Sequence, residues 1–502
     1  MTGTSNTHSP RTSDRPLAVV VLAAGKGTRM KSAVPKVIHR VLGRTVLGWV
    51  LAHCEPLAGE RTIVVLGHGS EDVGATLPEH VIVAIQENQR GSGDAVAAAL
   101  PALDGFTGDV LVVNGDGALF STETLTEVAN QHAAAGAGAS CLAISSNDDL
   151  PYGRVLIDAS GAVTKIVEAR DASSEELAVR ELNAGVYCFD ADVLRAAVPQ
   201  LSTDNAQGEL YITDLIAIGR AGGATTLGVV TGTEDELLGI NTRADLAVVE
   251  RILQRRINRE HMLNGVTFSM AHMTLVEPTV TIAADAVIEP GTILRGSTTI
   301  GARAVIGPYS ILEDTTVEED ASVVQSTTVD AHVGKGASVG PFGYLRPGAD
   351  LGENSKVGTF VELKKTVLGA RSKVPHLSYV GDATIGPDSN IGAGNITANY
   401  RPELGKGKQP TTIGAGVRTG SDNVFVAPIK IGDGAFTGAG SIIVQDVPAG
   451  ALAIARARQV NLQDYAQRVS TPPTEAEPPS EHTDRHDPNA DVVRNGLPDA
   501  RG

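Results

Sequence analysis

From Val276 onward an aliphatic residue returns at every sixth position. Val276, Ile282, Ile288, Leu294, Ile300, Ile306 and Leu312 form one unbroken run. The phase then slips. The series resumes at Val333, Val339, Leu345, Leu351 and Val357, at Ile385 and Ile391, and at Ile431, Thr437 and Ile443. Many of these residues are followed by glycine, as in IGARAV, IGPYSI, VGKGAS, IGPDSN and IGDGAF. Six is not a multiple of 3.6, so no helix keeps them on one face. A three-sided coil of short strands does: each side sends one aliphatic residue inward and the next residue turns the corner. This is the hexapeptide signature of a parallel β-helix, expected here over 266–460.

The upstream half has a different grammar. LAVVVLAAG, TIVVLGHG, HVIVAIQ and DVLVVNGD are β-branched runs that end in small or polar residues, and helix-like stretches such as Asp94–Leu103 and Thr122–Ala135 lie between some of them. Such alternation predicts a Rossmann-like α/β domain with a mostly parallel sheet, assigned to 17–244. Ligands of such sheets bind beyond the carboxyl ends of the strands, here 24–29, 67–70, 86–93 and 114–116. A connecting helix is expected in the linker 245–265. The termini, 1–16 and 461–502, are polar and proline-bearing and are expected to stay disordered.

Composition narrows the function. Aromatic residues make up only 3% of the 502, while glycine numbers 56, so small aliphatic cores and many tight turns are expected. A net charge of −17 disfavours general binding to nucleic acid or to an anionic membrane. It leaves room for a local cationic pocket that takes a phosphorylated metabolite. The longest apolar run, near 17–24, is too short to span a bilayer. The polar N-terminus has no secretory apolar stretch. Cys54, Cys141 and Cys188 are far apart, without metal-site spacing, and read as reduced thiols of a cytoplasmic protein.

After the first strand comes Leu22-Ala-Ala-Gly25-Lys26-Gly27-Thr-Arg29-Met30, with Pro35-Lys36 close behind. Small residues let backbone N–H groups approach a phosphate or a nucleobase, and Lys26, Arg29 and Lys36 supply charge. The segment is neither a Walker A loop nor GxGxxG, and by itself it also suits a plain strand–helix turn. Gln86, Gly91-Ser92, Gly115-Asp116, Tyr152-Gly153-Arg154, Lys165-Ile-Val-Glu168, Asn183-Ala-Gly185 and Gly239-Ile-Asn241 follow in order. This ordered set resembles the sugar-nucleotide pyrophosphorylases. Joined to the hexapeptide segment, it resembles the bifunctional N-acetylglucosamine-1-phosphate uridyltransferase/glucosamine-1-phosphate N-acetyltransferase family over about 17–460.

The resemblance implies a left-handed β-helix behind the α/β domain, and an enzyme that makes UDP-N-acetylglucosamine for cell-wall precursors. Glucosamine-1-phosphate would be acetylated from acetyl-CoA, and UMP would then pass from UTP to N-acetylglucosamine-1-phosphate with loss of pyrophosphate. It implies that Leu22, Ala23, Ala24, Gly25, Lys36, Gln86, Gly91 and Ser92 hold the nucleotide, with Gly115 beside them. It implies that Gly153, Glu168 and Asn183 hold the acetamido sugar, and that Asp116 and Asn241 coordinate Mg²⁺. Two departures from the family pattern fall here: Gly117-Ala118 after Asp116, and Asn114 before Gly115. They are expected to loosen this loop.

In the second half, polar and aromatic residues interrupt the small-residue pattern. N-acetyl transfer requires the amine to lose a proton as it attacks the thioester, and an imidazole can accept it. The resemblance implies His376 as that base. It implies Arg346, Lys364, Tyr379 and Asn390 around glucosamine-1-phosphate, and Ala393, Asn399, Tyr400, Ser421, Ala439 and Arg456 along acetyl-CoA. Glu362 is a candidate to orient His376. Residues 401–410 form an insertion whose Lys406 and Lys408 either meet CoA phosphates or face water. A homotrimer is implied, with the acetyl-transfer site at subunit interfaces. Three other readings stay open: a nucleotidyltransferase whose solenoid only assembles the oligomer, an enzyme for glucose-1-phosphate, and a non-enzymatic sensor.

Overall fold

The computed structural model describes residues 11–58, 61–67, 70–405 and 407–470. The expectations for 1–10, 471–502 and Lys406 lie outside the described residues. Residues 11–16, expected to be disordered, are held in place. Thr12 N–H donates to Asn130 Oδ1 at 2.9 Å, and Arg15 Nε donates to buried Asp109 at 2.7 Å.

Leu17–Leu22, Thr62–Gly67 and Asp109–Asn114 are buried along nearly their whole length. Strands covered on both faces read as continuous apolar runs rather than alternating ones. Alternate residues feed two cores. Ala18, Val20, Val110 and Val112 pack with the helix Ser92–Ala99, whereas Val19, Val21, Leu111 and Val113 pack with the helices Val46–Ala58 and Thr122–Ala134. The sheet path runs Thr226–Val230, Ala139–Ser145, Glu181–Asp190, Asp109–Asn114, Leu17–Leu22, Thr62–Gly67, Ile82–Gln86. Every neighbouring pair is parallel except those made by Glu181–Asp190. Leu22 is in register with Val65 and Asn114, and Gly67 with Gln86, so the motif-bearing strand ends share one edge. The antiparallel strand brings Asn183–Gly185 to that edge as well. A 21-residue helix, Arg243–Leu263, then leads to the second half. Its Thr242 and Asp245 form a capping box.

From Thr267 the chain winds into a parallel β-helix. On one side Val276, Leu294, Leu312, Thr328, Leu345, Leu363 and Val380 stack in register, all pointing inward. The slip of phase after Leu312 has a simple geometry. Five residues, not six, separate Leu312 from Val317, Val323 from Thr328, and Thr328 from Val333. Thr328 fills an inward position, with its hydroxyl 3.0 Å from that of Thr315.

Two corners of the coil are turned by residues in the left-handed region. One is turned by Asp285, Arg303, Asp320, Asn354, Arg371 and Asp388, with φ between 56° and 65°. Asp and Asn tolerate this left-handed region. Another is turned by Tyr309, Phe342, Phe360 and Leu377, with φ from 49° to 58°, and all four are exposed. The rings of Phe342 and Phe360 stack at 5.3 Å. One coil is much longer than the rest. Ile385 pairs with Ile413, and Ile396 with Val424, across the insertion at Asn399–Gln409. Residues from Arg456 form a separate unit, in which Tyr465–Ser470 is a short helix within a stretch expected to be disordered.

Candidate active sites

Two adjoining depressions open at the carboxyl edge of the α/β sheet. One, of about 270 Å³, is lined by Leu22, Ala24, Gly25, Gln86, Gly91 and Ser92. The other, of about 290 Å³, is lined by Asp116, Gly153, Glu168, Asn183 and Asn241. Ser92 and Asn114 border both. The expected nucleotide and sugar residues therefore sort into two halves of one cleft.

Local bonds fix their orientation. The Gln86 amide donates to Gly91 O at 3.1 Å and to Asp94 at 2.9 Å. Burial pushes Asp94 up, but bonds from Gln86 and Arg90 outweigh it and hold the carboxyl below its usual value. Burial, with Asp171 and Asp214 adding to it, pushes Glu168 above the ordinary carboxylate range. Lys36 Nζ lies 2.6 Å from Asp116 Oδ2 and 3.2 Å from Asn241 Oδ1, and Arg29 reaches the same amide oxygen at 2.9 Å. Gly27 makes this approach possible: its φ is +62°, and a Cβ there would lie 2.6 Å from Lys36 Cβ.

Asp116 and Asn241 thus aim two oxygens at one cation-sized spot. That donor set suits a hard divalent ion that takes its other ligands from phosphates and water. Among the described residues no group of three or more His, Cys, Asp or Glu side chains could hold a metal. Two expected residues present little to a ligand. The N–H groups of Ala23 and Gly115 are taken by Val65 O and Leu22 O, both at 2.9 Å. Sequence reasoning missed Gln89, which donates to Ala24 O at 2.8 Å, and Glu209, which lines the smaller depression. Glu209 lies in no recognisable motif, whereas Gln89 falls inside the strand-end stretch 86–93 but has no motif position of its own.

The solenoid carries a second cluster. On one side, successive coils present Arg346, then Glu362 and Lys364, then Tyr379 and Asp382. Arg346 donates to Glu362 at 2.8 Å. Lys364 Nζ lies 3.8 Å from Asp382, and Asn399 Nδ2 donates to Asp382 at 2.7 Å and to the Tyr379 hydroxyl at 3.3 Å. Asp382 is the hub of this network. The sequence hid it, because Gly381-Asp382 reads as an ordinary turn. Glu362 is engaged by Arg346, and among the described residues no hydrogen bond joins it to His376.

His376 ends the strand Lys373–His376 on the adjacent side of the coil, next to the corner residue Leu377, and is exposed. Lys373, Asn390, Arg418 and Phe436 bridge in register. Three residues further along each coil come His376, Ala393, Ser421 and Ala439, so these four form a line across successive coils. Asn390 lies on this second side, around the corner from Arg346, Lys364 and Tyr379, so one chain splits the expected sugar-phosphate residues between two faces. In the insertion, Lys408 Nζ sits 4.2 Å from the centroid of the exposed Tyr400 ring. Arg456 opens the separate C-terminal unit.

The family model for MobA-like NTP transferase domains matches residues 19–187. The bifunctional protein GlmU of Streptomyces coelicolor is 47% identical over 420 residues, covering 83% of this chain and 86% of that protein. GlmU of Corynebacterium efficiens is 44% identical over 424 residues, covering 83% and 87%. GlmU of Corynebacterium diphtheriae is 42% identical over 432 residues, covering 85% and 87%.

Proposed function

The chain belongs to the family of bifunctional GlmU proteins, and on that premise we propose that it performs both halves of UDP-N-acetylglucosamine synthesis. The solenoid acetylates glucosamine-1-phosphate from acetyl-CoA. The α/β domain then transfers UMP from UTP to N-acetylglucosamine-1-phosphate and releases pyrophosphate. The observation that carries this reading is the pair of separate polar clusters, one at the sheet edge and one on the solenoid. A solenoid that served only as a scaffold would need no Arg346–Lys364–Asp382–Asn399 network.

In the α/β cleft, Leu22, Ala24, Gly25, Gln86, Gly91 and Ser92 hold the uridine nucleotide, and Gly153, Glu168 and Asn183 hold the acetamido sugar. Asp116 and Asn241 would hold Mg²⁺, which would supply positive charge against the phosphates. Lys36, with its ammonium at the same spot, is placed to turn toward phosphate oxygens. No protein nucleophile is required: positioning and charge neutralisation account for the acceleration.

In the solenoid, Arg346 and Lys364 bind the sugar phosphate, Tyr379 and Asn390 orient the sugar, and His376 takes the proton from the amine. Ala393, Ser421 and Ala439, which follow His376 across successive coils, take acetyl-CoA together with Asn399 and Tyr400. Because the sugar-phosphate residues lie on two faces of one chain, we assign the complete site to the junction of two copies in a homotrimer. The exposed, positive-φ residues Phe342, Phe360 and Leu377 follow one another along the corner that leads to His376, with Tyr309 beyond Gln325, and support such an assembly. No described helix is long and apolar enough to cross a membrane. The substrates and the three buried, free cysteines agree with action in the cytoplasm.

The direct test supplies glucosamine-1-phosphate, acetyl-CoA, UTP and Mg²⁺ to the full chain and identifies the products by mass. N-acetylglucosamine-1-phosphate, UDP-N-acetylglucosamine and pyrophosphate are expected. Omitting UTP should stop the sequence at the acetylated sugar phosphate.

A further inference from the structure

The outward positions on the His376-bearing side of the solenoid read, coil by coil, Ser338, Lys356, Lys373, Asn390, Arg418 and Phe436. Lys356 and Lys373 are in direct register, and like charges so placed on neighbouring strands repel. Several other cations of the solenoid are met by acids. Arg303 reaches Asp320 at 2.7 Å and Glu319 at 2.8 Å, and Arg371 reaches Asp388 at 2.7 Å. Among the described residues, neither Lys373 nor Arg418 has an acidic partner. The one acid beside them, Asp388, accepts two bonds from Arg371, both at 2.7 Å.

A depression of about 440 Å³ opens over Lys373, Asn390 and Arg418. Lys373 and Arg418 are two strands apart, about 10 Å along the ladder, with Asn390 between them. Long cationic side chains can converge from that separation on a single anionic group, with an amide between them as a further donor. A chain of net charge −17 that leaves unpaired cations repelling one another on one face retains them for a ligand.

We propose that Lys373, Asn390 and Arg418 form a binding site for a phosphate group, either that of the sugar phosphate or one of those of coenzyme A. The identity of the ligand rests on the acetyl-transfer reading above; the anion site itself does not.

The test compares the full-length wild type with the K373Q/R418Q variant by calorimetry. The probes are inorganic pyrophosphate, glucosamine-1-phosphate, coenzyme A and 3′-dephospho-coenzyme A. Pyrophosphate and at least one substrate should bind the variant about tenfold or more weakly, the scale of a lost charge-assisted bond. Weakening confined to glucosamine-1-phosphate assigns the sugar phosphate. Weakening confined to coenzyme A assigns the cofactor, and its absence with the dephospho form assigns the 3′-phosphate. The variant should keep the wild-type oligomeric state and melt no lower, because repulsion has been relieved. R418K, which keeps the charge, should bind within about threefold of the wild type. If the variant binds all four probes within twofold of the wild type, the proposal is overturned. Should the wild type make no acetylated product, the functional reading fails, and the pyrophosphate comparison alone judges the anion site.

Discussion

Lys36 Nζ stands 2.6 Å from Asp116 Oδ2, at the point where the Asp116 carboxylate and the Asn241 amide oxygen converge. Both side chains are largely shielded, with 12% and 22% exposure, so the ammonium compensates the carboxylate until another cation enters. Asp116→Ala should therefore abolish Mg²⁺-dependent uridyl transfer and leave acetyl transfer within about twofold. Rates of the two half-reactions across a Mg²⁺ titration decide the matter. Wild-type uridyl transfer at limiting Mg²⁺ would remove Asp116 as a ligand.

His376→Ala should slow acetyl transfer by roughly 10²–10⁴-fold, the usual contribution of a positioned general base. Glucosamine-1-phosphate is mostly an ammonium ion near neutral pH, and among the described residues the Arg346–Lys364–Tyr379 network contains no histidine that could stand in for His376. The KM for the sugar phosphate should change little, because Arg346 and Lys364 remain. A loss under threefold in kcat, on protein with the wild-type oligomeric state, would leave water as the proton acceptor.

Glu168 gives the α/β site a pH signature. Burial, aided by Asp171 and Asp214, raises its pKa, so the folded state holds this proton more tightly than the unfolded one. Its contribution to stability accordingly declines as pH rises from the ordinary Glu value, about 4.3, through the raised value. On the proposed role of Glu168 sugar binding runs the other way, since the ionised form would be the acceptor. The KM for N-acetylglucosamine-1-phosphate should climb as pH falls into the weakly acidic range. In Glu168→Gln it should be high and flat over that range. An equally steep rise in the variant would exclude Glu168.

Gly381 is the narrow point of the solenoid site. A Cβ there would lie 2.6 Å from Asn399 Nδ2 and would also collide with the Tyr379 hydroxyl. Gly381→Ala should push Asn399 off Asp382, displace the Tyr379 hydroxyl and cut acetyl transfer by about 10²-fold, as misplacements near 1 Å do. Uridyl transfer should be unchanged. Parallel kinetics of both half-reactions test this, with the melting temperature to show that the coil persists.

Much of this could be read from the chain because solenoid geometry and strand-end motifs write themselves locally. Every inward aliphatic residue of the first run, from Val276 to Leu312, lies where a six-residue side puts it. The reading lost phase after Leu312 because a side can close in five residues, and because a hydroxyl can fill the inward place when a neighbour such as Thr315 satisfies it. Asp382 and Gln89 escaped for another reason. Their partners, Asn399 and Ala24, are distant in sequence, and nothing local to either residue announces the pairing. The same holds for the division of Asn390 from Arg346, Lys364 and Tyr379, which depends on where each corner falls.

The long coil that contains residues 399–409 departs from its neighbours only outside the stack. Ala383–Ile385 pair with Thr411–Ile413 below it, and Ile396–Ala398 with Val424–Val426, without any slip of register. The insertion is thus a splice point. Loop-closure entropy changes slowly with length, so segments of other lengths and compositions could be exchanged there while the rungs on either side stay aligned. A lineage could retune what this loop presents to solvent, through residues such as Tyr400 and Lys408, without redesigning the column that carries it.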